Sequence, residues 1–267
     1  IPPARMNTFV SNKRIMKTIT LNKTWQLIKW MSIAWLLATL AIQKADAQAC
    51  QFQQGQNGGV RGAVISPIDF ARGNVNGSKA HYVEGNSIPY RIEFTTLAAN
   101  TQYRAIISFD VKKQSKQALD YITGFQNLKY STTDPAEQVN PIRGTGLDGV
   151  AGIIVNTFPI PNPIFTTSSA FNAIVTNSFT QLKTPAFFNP EVTVPVSPLS
   201  AAVRDKGNMA IWNATINSIQ YINTIDPTLS DAHATFEVVF TKANNTNPVV
   251  LSWGGHIAST QDWGQGN

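Results

Sequence analysis

Three histidines, one cysteine and 15 acidic residues carry most of the acid–base and metal-binding chemistry open to this 267-residue chain. His81, His233 and His256 could pair with Glu84, Asp110, Asp120 or Asp262 in a metal or acid–base site. Carboxylates joined by loop carbonyls would suit calcium outside the cell. The metal candidates are His81, Glu84, Asp120, His256 and Asp262, but their spacing fixes no ligand set, and each histidine reads more readily as a hydrogen-bonded loop residue beside a strand end. No other cofactor is called for. Two carboxylates flanking a sugar could cleave a glycosidic bond, and Trp212, Trp253 and Trp263 could stack on sugar rings. A tryptophan within an alternating strand, however, packs into the core by default. The chain has no G-x-S-x-G elbow, no H-E-x-x-H helix and no G-x-x-x-x-G-K-[ST] loop, so no catalytic residue is assigned and no enzyme is expected.

The elements that would hold these groups read as strands. In Ile88–Leu97, Ile88, Tyr90, Ile92 and Phe94 share one face while Arg91 and Glu93 take the other, the period-two signature of a half-buried strand. Tyr103, Ala105, Ile107, Phe109 and Val111 alternate likewise across Gln102–Val111, and the short polar link Ala98–Thr101 makes a β-hairpin the natural expectation. Ala234–Thr241 and Val249–Trp253 repeat the pattern on either side of the turn Lys242–Pro248. Met209–Ile222, rich in β-branched and aromatic residues, should be a strand or a bent pair. Ser115–Tyr121 holds good helix formers behind a capping serine, which predicts a helical turn or two. The segment 134–198 carries 9 of the 15 prolines, so long loops and short edge strands are expected there, with Gly149–Val155 the best strand. Ser169–Asn177 fits a short helix or a strand.

The first 49 residues read as a targeting segment. Arg5, Lys13, Arg14, Lys17, Lys23 and Lys29 form a basic flank, Met31–Ile42 is an uncharged core, and Ala45-Asp-Ala-Gln-Ala49 offers two A-x-A cleavage sites. The uncharged run from Trp30 to Gln43 is 14 residues, short of the roughly 20 a membrane-spanning helix needs. Translation could begin at Met6 or Met16, and the chain reads as part of a longer product. Seven of the 21 lysines and arginines precede Cys50 but only one of the 15 acidic residues does, which leaves 14 of each beyond it. The formal charge of +6 therefore belongs to the leader, and the neutral remainder lacks the basic footprint of a nucleic-acid binder. A single cysteine allows no intrachain disulfide, so stability must come from a core. Cys50 follows small residues and is a candidate lipid acceptor, although the leucine usual upstream of such a cysteine is missing. Asn76-Gly-Ser78, Asn213-Ala-Thr215 and Asn244-Asn-Thr246 match the N-glycosylation pattern, which is short and common by chance.

The blocks His81–Arg91, Lys116–Thr123 and Val250–Ala258, with Asp262-Trp-Gly264, resemble large secreted surface proteins of Bacteroidetes-type bacteria. There a β-rich region follows the signal and precedes repeated immunoglobulin-like or prealbumin-like modules. The resemblance implies an adhesin-like protein and brings no catalytic residues. In the blocks themselves, Glu84-Gly-Asn-Ser-Ile-Pro supplies a turn into a strand, and Trp253-Gly-Gly-His256 suggests a strand ending where glycine permits a bend. The expected fold is all-β: an Ig-like, Greek-key β-sandwich over residues 50–267 with long irregular loops, preceded by the targeting segment. The expected role is noncatalytic attachment at a cell surface, with surface polymers, glycans or other envelope proteins as partners, no nucleic acid, and no transmembrane span after Cys50. A secreted sugar-binding module or glycosidase, and a rigid spacer, are the alternatives.

Overall fold

Alternating apolar residues can bury one face only if a second layer covers it, and the chain meets this with two antiparallel sheets packed face to face. A computed structural model describes residues 49–126, 139–166, 207–226 and 228–258, all within one compact unit, Gln48–Asn267. Their strands are β1 (Cys50–Gln56), β2 (Asp69–Ala71), β3 (Ser87–Phe94), β4 (Gln102–Lys113), β5 (Lys116–Gln117), β6 (Leu119–Thr123), β7 (Val155–Pro159), β8 (Asn208–Trp212), β9 (Ala214–Tyr221), β10 (Ala232–Lys242) and β11 (Val249–Ile257). The larger sheet runs β2-β1-β3-β11-β8-β7, with β6 also on β11; the smaller runs β5-β4-β10-β9. No helix occurs among the described residues, so none there is long and apolar enough to cross a membrane.

The core between the sheets is built from the alternation read above. Ile92, Leu251, Trp253 and Ile211 of the larger sheet meet Ala105, Ile107, Phe236, Val238 and Phe240 of the smaller. Full burial of a large apolar side chain contributes about 1.5–3 kcal/mol, so a core of this extent can hold the fold without a disulfide.

The expected hairpin is not formed. β3 pairs with β1 and β11, whereas β4 pairs with β10 and β5, so the two strands lie in opposite sheets. Alternation reports that one face is buried, and facing a neighbour across the core satisfies it as well as lying beside that neighbour. The seven residues from Thr95 to Thr101 form the crossing, anchored by Leu97 in the core. β10 and β11 cross in the same way through 243–248. Met209–Ile222 is the bent pair: β8 and β9 belong to different sheets, and the chain turns between them at Asn213, whose φ is 63°.

Three further expectations are corrected. The helical turn at Ser115–Tyr121 is instead a two-residue reversal at Gln114 and Ser115, with φ of 49° and 64°, followed by β5 and β6. Two successive left-handed residues match the strand twist as a type I′ turn does. Tertiary bonds hold it: Gln114 N donates to Asp231 Oδ1 and Ser115 N to Ser230 O. Gly149–Val155 is mostly turn, with left-handed φ at Gly149 and Gly152, and the strand starts only at Val155. Trp253-Gly-Gly-His256 does not end a strand, because β11 runs straight through it. Its glycines serve close packing: a Cβ on Gly254 would sit 2.3 Å from Thr123 Oγ1 and 2.7 Å from Gly124 O. Ser169–Asn177 lies outside the described residues.

β11 is buried on both faces. On the side away from the smaller sheet, Val250, Ala210 and Trp212 pack with Ile68, Phe125, Val139 and Leu147 in a second apolar cluster. The loop-rich segment expected in the proline-rich region supplies part of this third layer, through Val139, Ile142, Leu147 and Ile153.

Gly254→Ala should therefore destabilise the Gln48–Asn267 chain by about 1–3 kcal/mol, the usual cost of overpacking. Gly77→Ala, whose added methyl meets only Val60 Cγ2 at 3.8 Å, should be near neutral. Urea unfolding of the two variants checks the pair.

Candidate functional site

Two of the metal candidates come together. β6 pairs with β11 as Gly254↔Thr123, Gly255↔Ile122 and His256↔Tyr121, then skips to Ile257↔Leu119. Asp120 is thus the extra residue of a β-bulge, a device that re-aims a side chain. Its carboxylate accepts a hydrogen bond from His256 Nδ1 at 2.7 Å, with the two side chains 1% and 2% exposed. The bond to a carboxylate puts the proton on Nδ1. The Tyr121 ring stacks on the imidazole at 4.4 Å and 7° between planes. The Tyr221 hydroxyl is buried near Asp120 and the Ile122 backbone, and burial, aided by the Asp120 charge, keeps it protonated well above the usual phenol range. A carboxylate–imidazole couple can serve acid–base chemistry where the ring reaches a substrate. Here the couple is enclosed and holds β6 to β11.

The other candidates lie elsewhere. His81 Nδ1 donates to Gly58 O at 2.8 Å, and its backbone N–H donates to Asn57 Oδ1 at 3.0 Å, so it ties one loop to another. Glu84 is exposed in the turn before β3. Asp262 and Trp263 lie outside the described residues. Among the described residues, no three histidine, cysteine, aspartate or glutamate side chains converge as a metal site would require. An open depression on the smaller sheet is lined by Ser108, Asp110, Lys113, Asp231 and His233. There Lys113 pairs with Asp231 at 3.2 Å.

Trp212 and Trp253 are not sugar-stacking surfaces. They are 1% and 3% exposed, one in each apolar cluster. Trp253 stacks on Tyr90 at 5.8 Å and meets the edge of Phe236 at 6.0 Å. Tyr90 in turn stacks on Phe52 at 5.7 Å. Only Phe52, at the end of this row, reaches solvent, at 43%. Cys50 is exposed and carries no disulfide.

Buried polar groups that the alternation had assigned to an outer face form a second set. Arg91 lies under the 139–148 segment: Nη1 donates to Pro141 O at 2.8 Å and Arg143 O at 2.7 Å, Nε donates to Gln53 Oε1, and the guanidinium covers the Phe70 ring at 4.2 Å. Burial lowers its pKa to about 10, against the pull of Glu93 and Asp148. Glu93 accepts the Gly146 N–H at 2.8 Å. On the smaller sheet, Glu237 accepts from Arg104 and from Gln220 Nε2.

A third set closes the end of the sandwich where the chain changes sheet. Asn213 Nδ2 donates to Asn245 Oδ1, Asn247 O and Pro248 O at 2.8–2.9 Å, and Asn245 Nδ2 donates back to Asn213 Oδ1. Lys242, 2% exposed, donates from Nζ to Asn245 O and Asn247 O at 3.0 and 2.7 Å. Burial lowers its pKa. The glycosylation pattern at Asn213 is therefore structural, because its amide is buried and fully engaged. Neither this set nor the Arg91 group was recognised from the sequence. The available signals were an asparagine interrupting a β-branched run, and the asparagine-rich link after Lys242.

Comparison with known protein families, curated proteins and solved structures found no match.

Asp120→Ala should cost about 1–3 kcal/mol in urea unfolding, because it leaves the buried Nδ1–H unpaired. Asp120→Asn, which keeps an acceptor, should cost less. Burial also lifts the Tyr90 phenol from 10.0 to about 12. Its contribution is complete below pH 10 and is lost between pH 10 and 12, where the unfolded chain releases the proton first. Relative to Tyr90→Phe, the unaltered chain should lose about 2–3 kcal/mol across that window, read from unfolding curves at each pH.

Proposed function

We propose that this chain is the exported, noncatalytic β-sandwich region of an adhesin-like protein, secreted or displayed at the cell surface. It would contact surface polymers, glycans or other envelope proteins. The observation that carries this reading is how the buried polar groups are used. Asp120 with His256, Arg91 with the 141–143 carbonyls, Glu93 with Gly146, and Lys242 with the Asn245–Asn247 link each bind one part of the scaffold to another. Such a body offers partners its exposed faces and loops.

Two further features support the reading. The basic flank, the short apolar run and the small residues before Cys50 favour export. The two packed antiparallel sheets favour a β-sandwich: β3 and β4 are consecutive and lie in opposite sheets, as do β10 and β11, and β3 pairs with β11 while β4 pairs with β10. The Ig-like, Greek-key form proposed for it differs in this exchange, since in immunoglobulin domains the first strands of two such crossings pair with each other and so do the second. Fold alone does not assign a function, so the role rests on the binding test.

Immobilised Gln48–Asn267 protein should bind saturably to a glycan array, to purified envelope polymers or to whole bacterial cells, and should release no reducing sugar from polymers it binds. Retention by none of these surfaces would favour the spacer role and end the adhesin reading. Release of reducing sugar would make the chain an enzyme.

A further inference from the structure

We infer that export processing cuts between Ala47 and Gln48, so that Cys50 enters the mature protein as an internal strand residue with a free thiol, not as a lipid-bearing N-terminus. This rests on the reading of residues 1–49 as a cleaved export signal. By the small-residue rule two cuts are equivalent, after Ala45-Asp-Ala47 and after Ala47-Gln-Ala49. The folded chain separates them.

The Ala49 carbonyl accepts two hydrogen bonds from Thr95, one from its backbone N–H and one from its hydroxyl, both at 3.1 Å. Ala49 therefore continues the pairing of β1 with β3 by one residue beyond Cys50↔Phe94. A cut after Ala49 removes that carbonyl, leaves both Thr95 donors without it, and places a charged amine on the first paired residue of β1. A cut after Ala47 keeps the carbonyl and moves the new amine two residues away. In that cut, water adds across the Ala47–Gln48 peptide bond, leaving a carboxylate on Ala47 and an α-amine on Gln48.

Lipidation meets the same obstacle from the membrane side. An acylated cysteine must lie at the lipid surface, yet Cys50 is itself the first residue of β1, paired with Phe94. No unpaired residue would separate its acyl chains from the sheet. The thiol is exposed, so it can be read directly.

The test expresses the full chain in a secreting bacterial host and measures the N-terminus of the exported product by intact mass and terminal sequencing. The expected product begins at Gln48, open or cyclised with loss of ammonia, reacts once with a maleimide and takes up no labelled fatty acid. Ala49→Leu spoils only the second site. Its side chain is exposed, and its carbonyl remains in place, so processing should be unchanged. Ala45→Leu spoils only the first site and should slow processing or move it to Ala49. A product beginning at Cys50, fatty-acid label on the chain, or a block of processing by Ala49→Leu would overturn the inference while leaving export intact. An exported chain that keeps residues 1–47 would overturn the reading of those residues as a cleaved signal, and a retained chain would overturn export itself.

Discussion

Two of the crossings between the sheets, β3 to β4 and β10 to β11, lock each other, and the rest of the structure depends on that lock. β3 leaves the larger sheet to become β4 in the smaller, and β10 leaves the smaller to become β11 in the larger. The partners are exchanged so that β3 meets β11 and β4 meets β10. Neither crossing can move without breaking pairing in both sheets. The junction is stitched by backbone: Asn100 N donates to Lys242 O, Lys242 N to Thr101 O, and Ala243 N to Asn213 O. The last of these ties in a third crossing, from β8 to β9, so these three changes of sheet meet at one end, while the described residues hold a fourth, from β5 to β6. Lys242 and the asparagines are there because three crossing segments leave many carbonyls facing inward, and a buried carbonyl without a donor is costly.

Placing β11 in the middle of the larger sheet has a second consequence. A central strand has neighbours along both edges, and β11 has three, β3 on one side and β8 and then β6 on the other. Where β6 closes in, Thr123 Oγ1 and Gly124 O leave no room for a side chain at 254, and the Leu119 and Tyr90 side chains crowd 255. Where the register slips by one residue, Asp120 is turned toward His256. The buried Asp120–His256 hydrogen bond is thus a product of strand crowding.

What could be read from the residues follows from the same physics. Strands were legible wherever one face is apolar, as in Ile88–Phe94 and Ala234–Thr241, because period two is a local property. Partners were not legible, because alternation says that a face is covered without saying by what. The hairpin expected from Ile88–Leu97 and Gln102–Val111 failed for this reason. Arg91 and Glu93 show the converse: charged residues opposite an apolar face suggest solvent, yet the 139–148 segment supplies carbonyls for one and an N–H for the other. Asp120 and His256 were named as candidates by residue type, and their pairing depends on a bulge that no spacing reveals. Ser115–Tyr121 looks like helix in composition, yet Gln114 and Ser115 form a left-handed turn held by Ser230 and Asp231, more than a hundred positions away.

The charge distribution bears on what such a body can do. Beyond Cys50 the formal charges cancel, and several of them are committed internally: Arg91 and Lys242 to carbonyls, Glu93 to an N–H, and Glu237 to Arg104. The formal charges that remain give no net sign to steer a polyanion toward the chain. Recognition by a neutral, strand-built surface depends on shape and on hydrogen bonds from exposed loops and strand edges, with few long-range forces to bring a partner in. Contacts of that kind are individually weak and gain strength when many copies or many modules act together. A rigid sandwich whose interior is closed by its own polar groups would suit the proposed attachment role, because it holds its outer surface in one shape.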